Sequence, residues 1–184
     1  GAAYDYVGMI IYRSRKDMPG GRYPNPLEAF GIPGNVLDDP WVYDVSQKIF
    51  DTSIYFILMH ELAHIRFNHR HYDDAGTSQA QEMQADTFAL ECLRRMKLAP
   101  VGVTYLFNIF NRCECSPADF ETISEYESYL RDKASHPLSS SRMDNVAKIM
   151  VQYADDYSSG QMNPSSWRIR IFALSREIGE IGRT

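Results

Sequence analysis

A chain of 184 residues, 44% hydrophobic and 23% charged, has the composition of one globular domain over residues 1–184, with no room for a second folded unit. Its net charge of -5 and pI near 5.5 leave no electrostatic footprint for nucleic acid or an anionic lipid surface, Arg13, Arg15 and Lys16 making only a small local patch. Cys92, Cys113 and Cys115 are an odd number without a CxxC pair, which argues against a disulfide scaffold and for a reducing, cytoplasmic compartment.

The N-terminus has no basic region ahead of an apolar core, so no signal peptide is expected. Gly1 reads as a scar of tag removal, so the chain could be a trimmed fragment whose removed upstream residues could have carried a signal or a membrane anchor. Tyr4 to Tyr12, short and rich in β-branched and aromatic residues, is predicted as a strand with a hairpin partner after Lys16-Asp17-Met18-Pro19-Gly20-Gly21. Its edge either holds an extended peptide or simply covers the core. Pro24, Pro26, Gly31, Pro33, Gly34 and Pro40 predict a loop that could wall a cleft.

From Trp41 the pattern turns helical, with segments predicted at 41–50, 52–69, 78–98, 100–112, 117–133, 140–157 and 165–180. Asp51 or Thr52 is expected to cap the second of these, and Ile54, Tyr55, Ile57, Leu58 and Ile65 to form its buried body. Ser116-Pro117 and Pro164-Ser165 are further helix starts, and Trp167, Ile169, Ile171, Phe172, Leu174 and Ile178 form an apolar stripe suited to the core or to an oligomer contact. No run of about 18 apolar residues exists, so no membrane span is expected. The fold class is α+β, mainly α, with a small N-terminal β-sheet.

The second helical segment carries His60-Glu61-Leu62-Ala63-His64, an HExxH. One helical turn separates the two imidazoles, so both can reach one zinc ion, while Glu61 points about 100° away and is free to take a proton from a metal-activated water. A catalytic zinc keeps three protein ligands and one open position, so a third donor is needed. Phe67 and Arg70 stand where a metzincin needs Gly and His, which excludes that class. His71 lies about 10 Å further along the axis, too far for one coordination sphere, and His69 is read as a solvated polar residue at the helix end. Ser78 and Gln81 form a capping-box pair ahead of Glu82, which would complete a His-His-Glu site, and Asp86, one turn on, would accept a ring N–H from a zinc-bound His. The loop from His71 to Thr77 is short enough to fold this helix back. Cys113-Glu114-Cys115 reads as loop thiols.

With HExxH followed by ExxxD, the chain resembles gluzincin metallopeptidases, in particular the HtpX and CAAX prenyl endopeptidase family. Ser135-His136-Pro137 with Arg142 resembles that family's HP segment and its Arg six residues after the His. The resemblance implies a zincin-like domain with one zinc ion per chain, His136 binding the substrate carbonyl or developing oxyanion, and Arg142 approaching Asp86. It spans about Ile54 to Met150 and departs from the family in lacking membrane helices, so prenyl-protein processing does not carry over. The chain is also similar to Lit-type and ImmA-type peptidases, the latter through Phe88-Ala89. The expected activity is zinc-dependent endopeptidase hydrolysis of a protein or peptide substrate, with Glu61 as general base. The alternative is a regulatory or binding protein that keeps the metal site without general proteolysis.

Overall fold

A computed structural model describes residues 25–69, 75–113, 117–132 and 139–181. The expected strand at Tyr4 to Tyr12, its hairpin partner and hence the small sheet lie outside these residues, and so do His71, Cys115 and His136. Among the described residues every regular element is helical: α1 Pro26–Ala29, α2 Pro40–Arg66, α3 Ala75–Arg95, α4 Val101–Cys113, α5 Ile123–Asp132, α6 Ser140–Gln152, α7 Ala154–Ser158 and α8 Pro164–Ile181, with 3₁₀ turns at Val36–Asp38 and Pro117–Asp119. The proline-rich stretch read as loop thus contains a short helix, because Asn25 caps it through Leu27 N–H (2.9 Å) and Pro26 supplies a preset φ at the first position.

One continuous helix, α2, replaces the two segments expected to meet at Asp51. Asp39 Oδ1 accepts from the N–H groups of Trp41 (2.8 Å) and Val42 (3.1 Å), Pro40 opens the first turn, and neither Gly nor Pro interrupts the next 26 residues. Thr52 does not cap: its hydroxyl donates to the Lys48 carbonyl (2.6 Å) and accepts from Gly102 N–H (2.9 Å). That second bond marks where α4 crosses α2. Gly102 sits against the α2 backbone so closely that a Cβ there would overlap Ile49 O and the Ser53 N and Oγ. Any side chain at 102 would force the two helices apart.

Both α2 and α3 end in the same six-residue motif. Asn68 (φ 52°) and Lys97 (φ 56°) adopt the left-handed conformation just past each helix. The following N–H groups reach back, His69 to His64 O (2.9 Å) and Leu98 to Leu93 O (3.0 Å), while Asn68 N–H bonds Ile65 O (3.2 Å) and Lys97 N–H bonds Arg94 O (2.9 Å). These pairs satisfy carbonyls that a helix end would otherwise orphan, and they reverse the chain sharply.

The start of α3 differs from expectation. It begins at Ala75, three residues before Ser78, so Ser78 and Gln81 lie inside the helix and form no capping box. Ser139 does cap α6, accepting from Arg142 N–H at 3.3 Å, and Asn163 Oδ1 accepts from Ser166 N–H (3.2 Å) ahead of α8.

The core lies between α2, α3, α4, α6, α7 and α8, with α2 packed on α3 and α4, α3 on α6, and α8 on α4, α6 and α7. It runs from Phe56 on α2 through Leu90 and Leu93 on α3 and Phe107 on α4 to Met150, Tyr157, Ile171 and Ile178. Tyr157 buries its ring fully and satisfies its hydroxyl on the Leu90 carbonyl (3.1 Å). On α8 only Ile171 and Ile178 of the predicted stripe are fully enclosed, and Ile169 is exposed. The apolar body expected for α2 is corrected likewise: Ile54, Tyr55, Leu58 and Ile65 are exposed, and Phe56 carries the core contact instead. With Phe50 and Leu62 they leave an apolar row along the outer side of α2. No helix among the described residues is long and apolar enough to cross a membrane.

Candidate metal centre

Four ionisable side chains are buried where α2, α3 and α6 meet: His60 (6% exposed), Glu82 (3%), Asp86 (0%) and Arg142 (3%). Burying that much charge is costly unless every group is paired, and here the pairing is dense. Arg142 donates from Nε to Asp86 Oδ2 (2.9 Å) and from Nη2 to Asp86 Oδ1 (3.0 Å), a two-pronged fork, and its Nη1 stands 2.9 Å from Glu82 Oε2. Asp86 Oδ1 also accepts from His60 Nδ1 at 2.9 Å. The Arg142 guanidinium carbon stands 5.9 Å from the centroid of the Phe107 ring, so the core packs directly against the charged cluster.

His60 and His64, one turn apart on α2, present ring nitrogens on one side. Their Nε2 atoms are 3.0 Å apart, and each stands 3.4 Å from a Glu82 carboxylate oxygen, His60 from Oε2 and His64 from Oε1. Donors about 2.0–2.2 Å from a tetrahedral zinc are separated by roughly 3.3–3.5 Å, so these edges suit that ion with little adjustment. Two imidazole nitrogens and one carboxylate oxygen are also the donor types zinc accepts, and His60, His64 and Glu82 are the described residues grouped closely enough to hold a cation. Without one, Glu82, Asp86 and Arg142 leave one net negative charge. Burial, the largest single influence on His60, works to lower its pKa, but hydrogen bonds and charges from Asp86 and Glu82 together outweigh it and raise the ring to about 9. The same acidic partners that favour a proton on this ring favour a cation beside it, so cation binding there competes with protonation.

Glu61 follows His60 around the helix and remains exposed. It borders a cavity of about 100 Å³ together with Phe56, Ile57, His60, Phe110 and Arg142. Five of the seven residues singled out from sequence, His60, His64, Glu82, Asp86 and Arg142, thus share one cluster; Glu61 lies at its edge, and His136 is outside the described residues.

His69 was assigned to solvent from sequence, and the structure corrects this. The left-handed Asn68 ends α2 and turns His69 back, so that its Nδ1 meets His64 Nδ1 at 2.9 Å and its Nε2 meets Gln84 Oε1 at 2.9 Å. The available signal was an Asn directly before a His at a helix end, since Asn tolerates the left-handed conformation better than most residues. Ties between α3 and α6 were equally hidden: Gln79 donates to Ser141 Oγ, and Asn145 Nδ2 to Thr87 Oγ1 at 3.1 Å.

A family model, Peptidase U49, matches residues 4–100, just over half of the chain. The chain belongs to the Peptidase U49 family. Of the resemblances drawn from motifs, to HtpX and CAAX prenyl endopeptidases and to Lit-type and ImmA-type peptidases, the U49 assignment bears on the Lit-type one and supports a peptidase. The U49 match takes in all of α2 and α3, hence His60, Glu61, His64, Glu82 and Asp86, and stops before Arg142. No curated protein and no solved structure matches the chain.

Proposed function

We propose that this member of a peptidase family is a zinc-dependent endopeptidase in which His60, His64 and Glu82 hold one zinc ion per chain and Glu61 is the general base. The observation that carries the reading is the trio of donor atoms on α2 and α3, spaced 3.0 to 3.4 Å apart and backed by the buried Asp86–Arg142 pair. Bound there, zinc would act as a Lewis acid on the scissile carbonyl and bring the pKa of water in its open position toward about 7.

The protein's own groups do the rest. Glu61 takes a proton from the attacking water onto its carboxylate and passes it to the leaving amine nitrogen. Asp86 accepts the Nδ1–H of His60, which fixes the ring with Nε2 bare toward the ion. Arg142 clamps Asp86 and Glu82 and sets its positive charge against theirs in a buried setting. His136 is assigned to the oxyanion, on the strength of the HP segment. The substrate is a protein or peptide, and the odd cysteine count favours action in the cytoplasm.

Glu61→Gln tests the assignment. It should leave zinc stoichiometry intact while cleavage of a peptide library falls by about 10²–10⁴-fold, the contribution typical of a general base. Cleavage at the wild-type rate would remove Glu61 from the mechanism. A wild-type protein that binds zinc but cleaves nothing would favour a binding or regulatory role.

A further inference from the structure

His69 forms a second hydrogen-bonded arm of the site, attached to His64 as Asp86 is attached to His60. Its Nε2 faces the Gln84 amide oxygen and its Nδ1 faces His64 Nδ1, each at 2.9 Å. An amide oxygen only accepts and a neutral imidazole has a single N–H, so the His69 proton sits on Nε2 and its Nδ1 is bare. The hydrogen between the two Nδ1 atoms then belongs to His64. That leaves the lone pair of His64 on Nε2, on the side where His60 Nε2 stands 3.0 Å away. The opposite arrangement would require Gln84 to turn its NH₂ toward His69, and would put an N–H on His64 where a cation needs a donor.

The geometry points to His69 as a positioning residue that holds His64 in its Nδ1–H tautomer for a divalent cation, with Gln84 holding His69 in turn. This rests on the metal site proposed above and adds what selects the tautomer of its second ligand. The backbone is built for it: the left-handed turn at Asn68 anchors the His69 N–H on the His64 carbonyl, so both ends of His69 are tied to the residue it orients.

The test uses the full chain with ¹⁵N-labelled imidazoles, reading the His64 tautomer by NMR in metal-free protein and zinc affinity by chelator competition. His69→Phe keeps a ring without an acceptor and should weaken zinc binding about 10–100-fold, with metal-free His64 losing its Nδ1–H preference. His69→Asn returns an acceptor oxygen near the lost Nδ1 and should bring affinity back to within about threefold of wild type. Wild-type affinity in His69→Phe, or equal weakness in His69→Asn, overturns the proposal. If the wild-type chain binds no zinc, the metal reading fails but the tautomer still decides this one. Nδ1–H on His64, lost in His69→Phe, supports it, and Nε2–H in the wild type sinks it.

Discussion

Asp86 has no exposed surface and receives three hydrogen bonds, two from Arg142 and one from His60. Asp86→Asn would keep the shape but remove the charge that offsets the guanidinium, and the amide could not accept at every contact. Loss of one partner from a buried ion pair costs about 3–5 kcal/mol, and loss of a carboxylate behind a zinc-bound His costs about 10–100-fold in metal affinity. We expect Asp86→Asn to lose at least 2 kcal/mol or so in urea denaturation and to weaken zinc binding in chelator competition, part of the buried-pair cost being offset by the retained amide. Unchanged values for both would mean that the pair serves neither the fold nor the metal. At this scale much was legible in the sequence, because HExxH and ExxxD are i, i+4 spacings whose geometry follows from the helix alone. Arg142 was legible only through resemblance, since nothing local in a sequence announces a partner 56 residues away. His69 was missed because extending α2 as a straight helix carries it off the metal face, whereas the chain leaves the helix at Phe67.

Helices were easier to anticipate than their ends. Periodicity located α3, α4 and α8 to within about three residues and the start of α6, but it ran α6 on through α7 as one segment, and the polar Asp51-Thr52 pair imitated a boundary inside α2. Exposure on α2 was misjudged for a related reason: apolar residues on nearly every side of a helix leave no periodic signal for which face is covered. Among described contacts, α3 is also fastened away from the site, where Arg94 bonds Glu91 on its own helix through Nε (2.6 Å) and Asp156 on α7 through Nη1 (2.6 Å). Hydrogen bonds from Arg94 first, then Arg95, hold the Glu91 carboxyl at about 2, below its ordinary 4.5. A depressed carboxyl stabilises the fold above its unfolded pKa and loses that contribution as pH falls through its folded one. Wild type should therefore be more stable than Glu91→Gln above about pH 5, by a modest, salt-sensitive margin that shrinks toward pH 2 in parallel urea titrations. A margin that grew on acidification would contradict the assigned pairing.

Across the whole molecule, the arrangement joins an ordinary apolar core to a small buried charge cluster that α2, α3 and α6 build together. The core around Leu90, Phe107 and Met150 fixes how these helices cross, and Phe107 lies against the guanidinium of Arg142, so the core and the buried charge cluster share a surface. Periodicity foretold a mainly helical architecture, and it could not foretell that the charge cluster draws on α6, which reaches α3 from beyond the family match. The central claim is that one cation is gripped by two imidazoles of α2 and a carboxylate of α3. An anomalous difference map at the zinc edge from zinc-loaded crystals tests it most directly. The account predicts a single strong peak per chain about 2.0–2.2 Å from His60 Nε2, His64 Nε2 and a Glu82 oxygen; a peak elsewhere, or one that Glu82 does not approach, would contradict it.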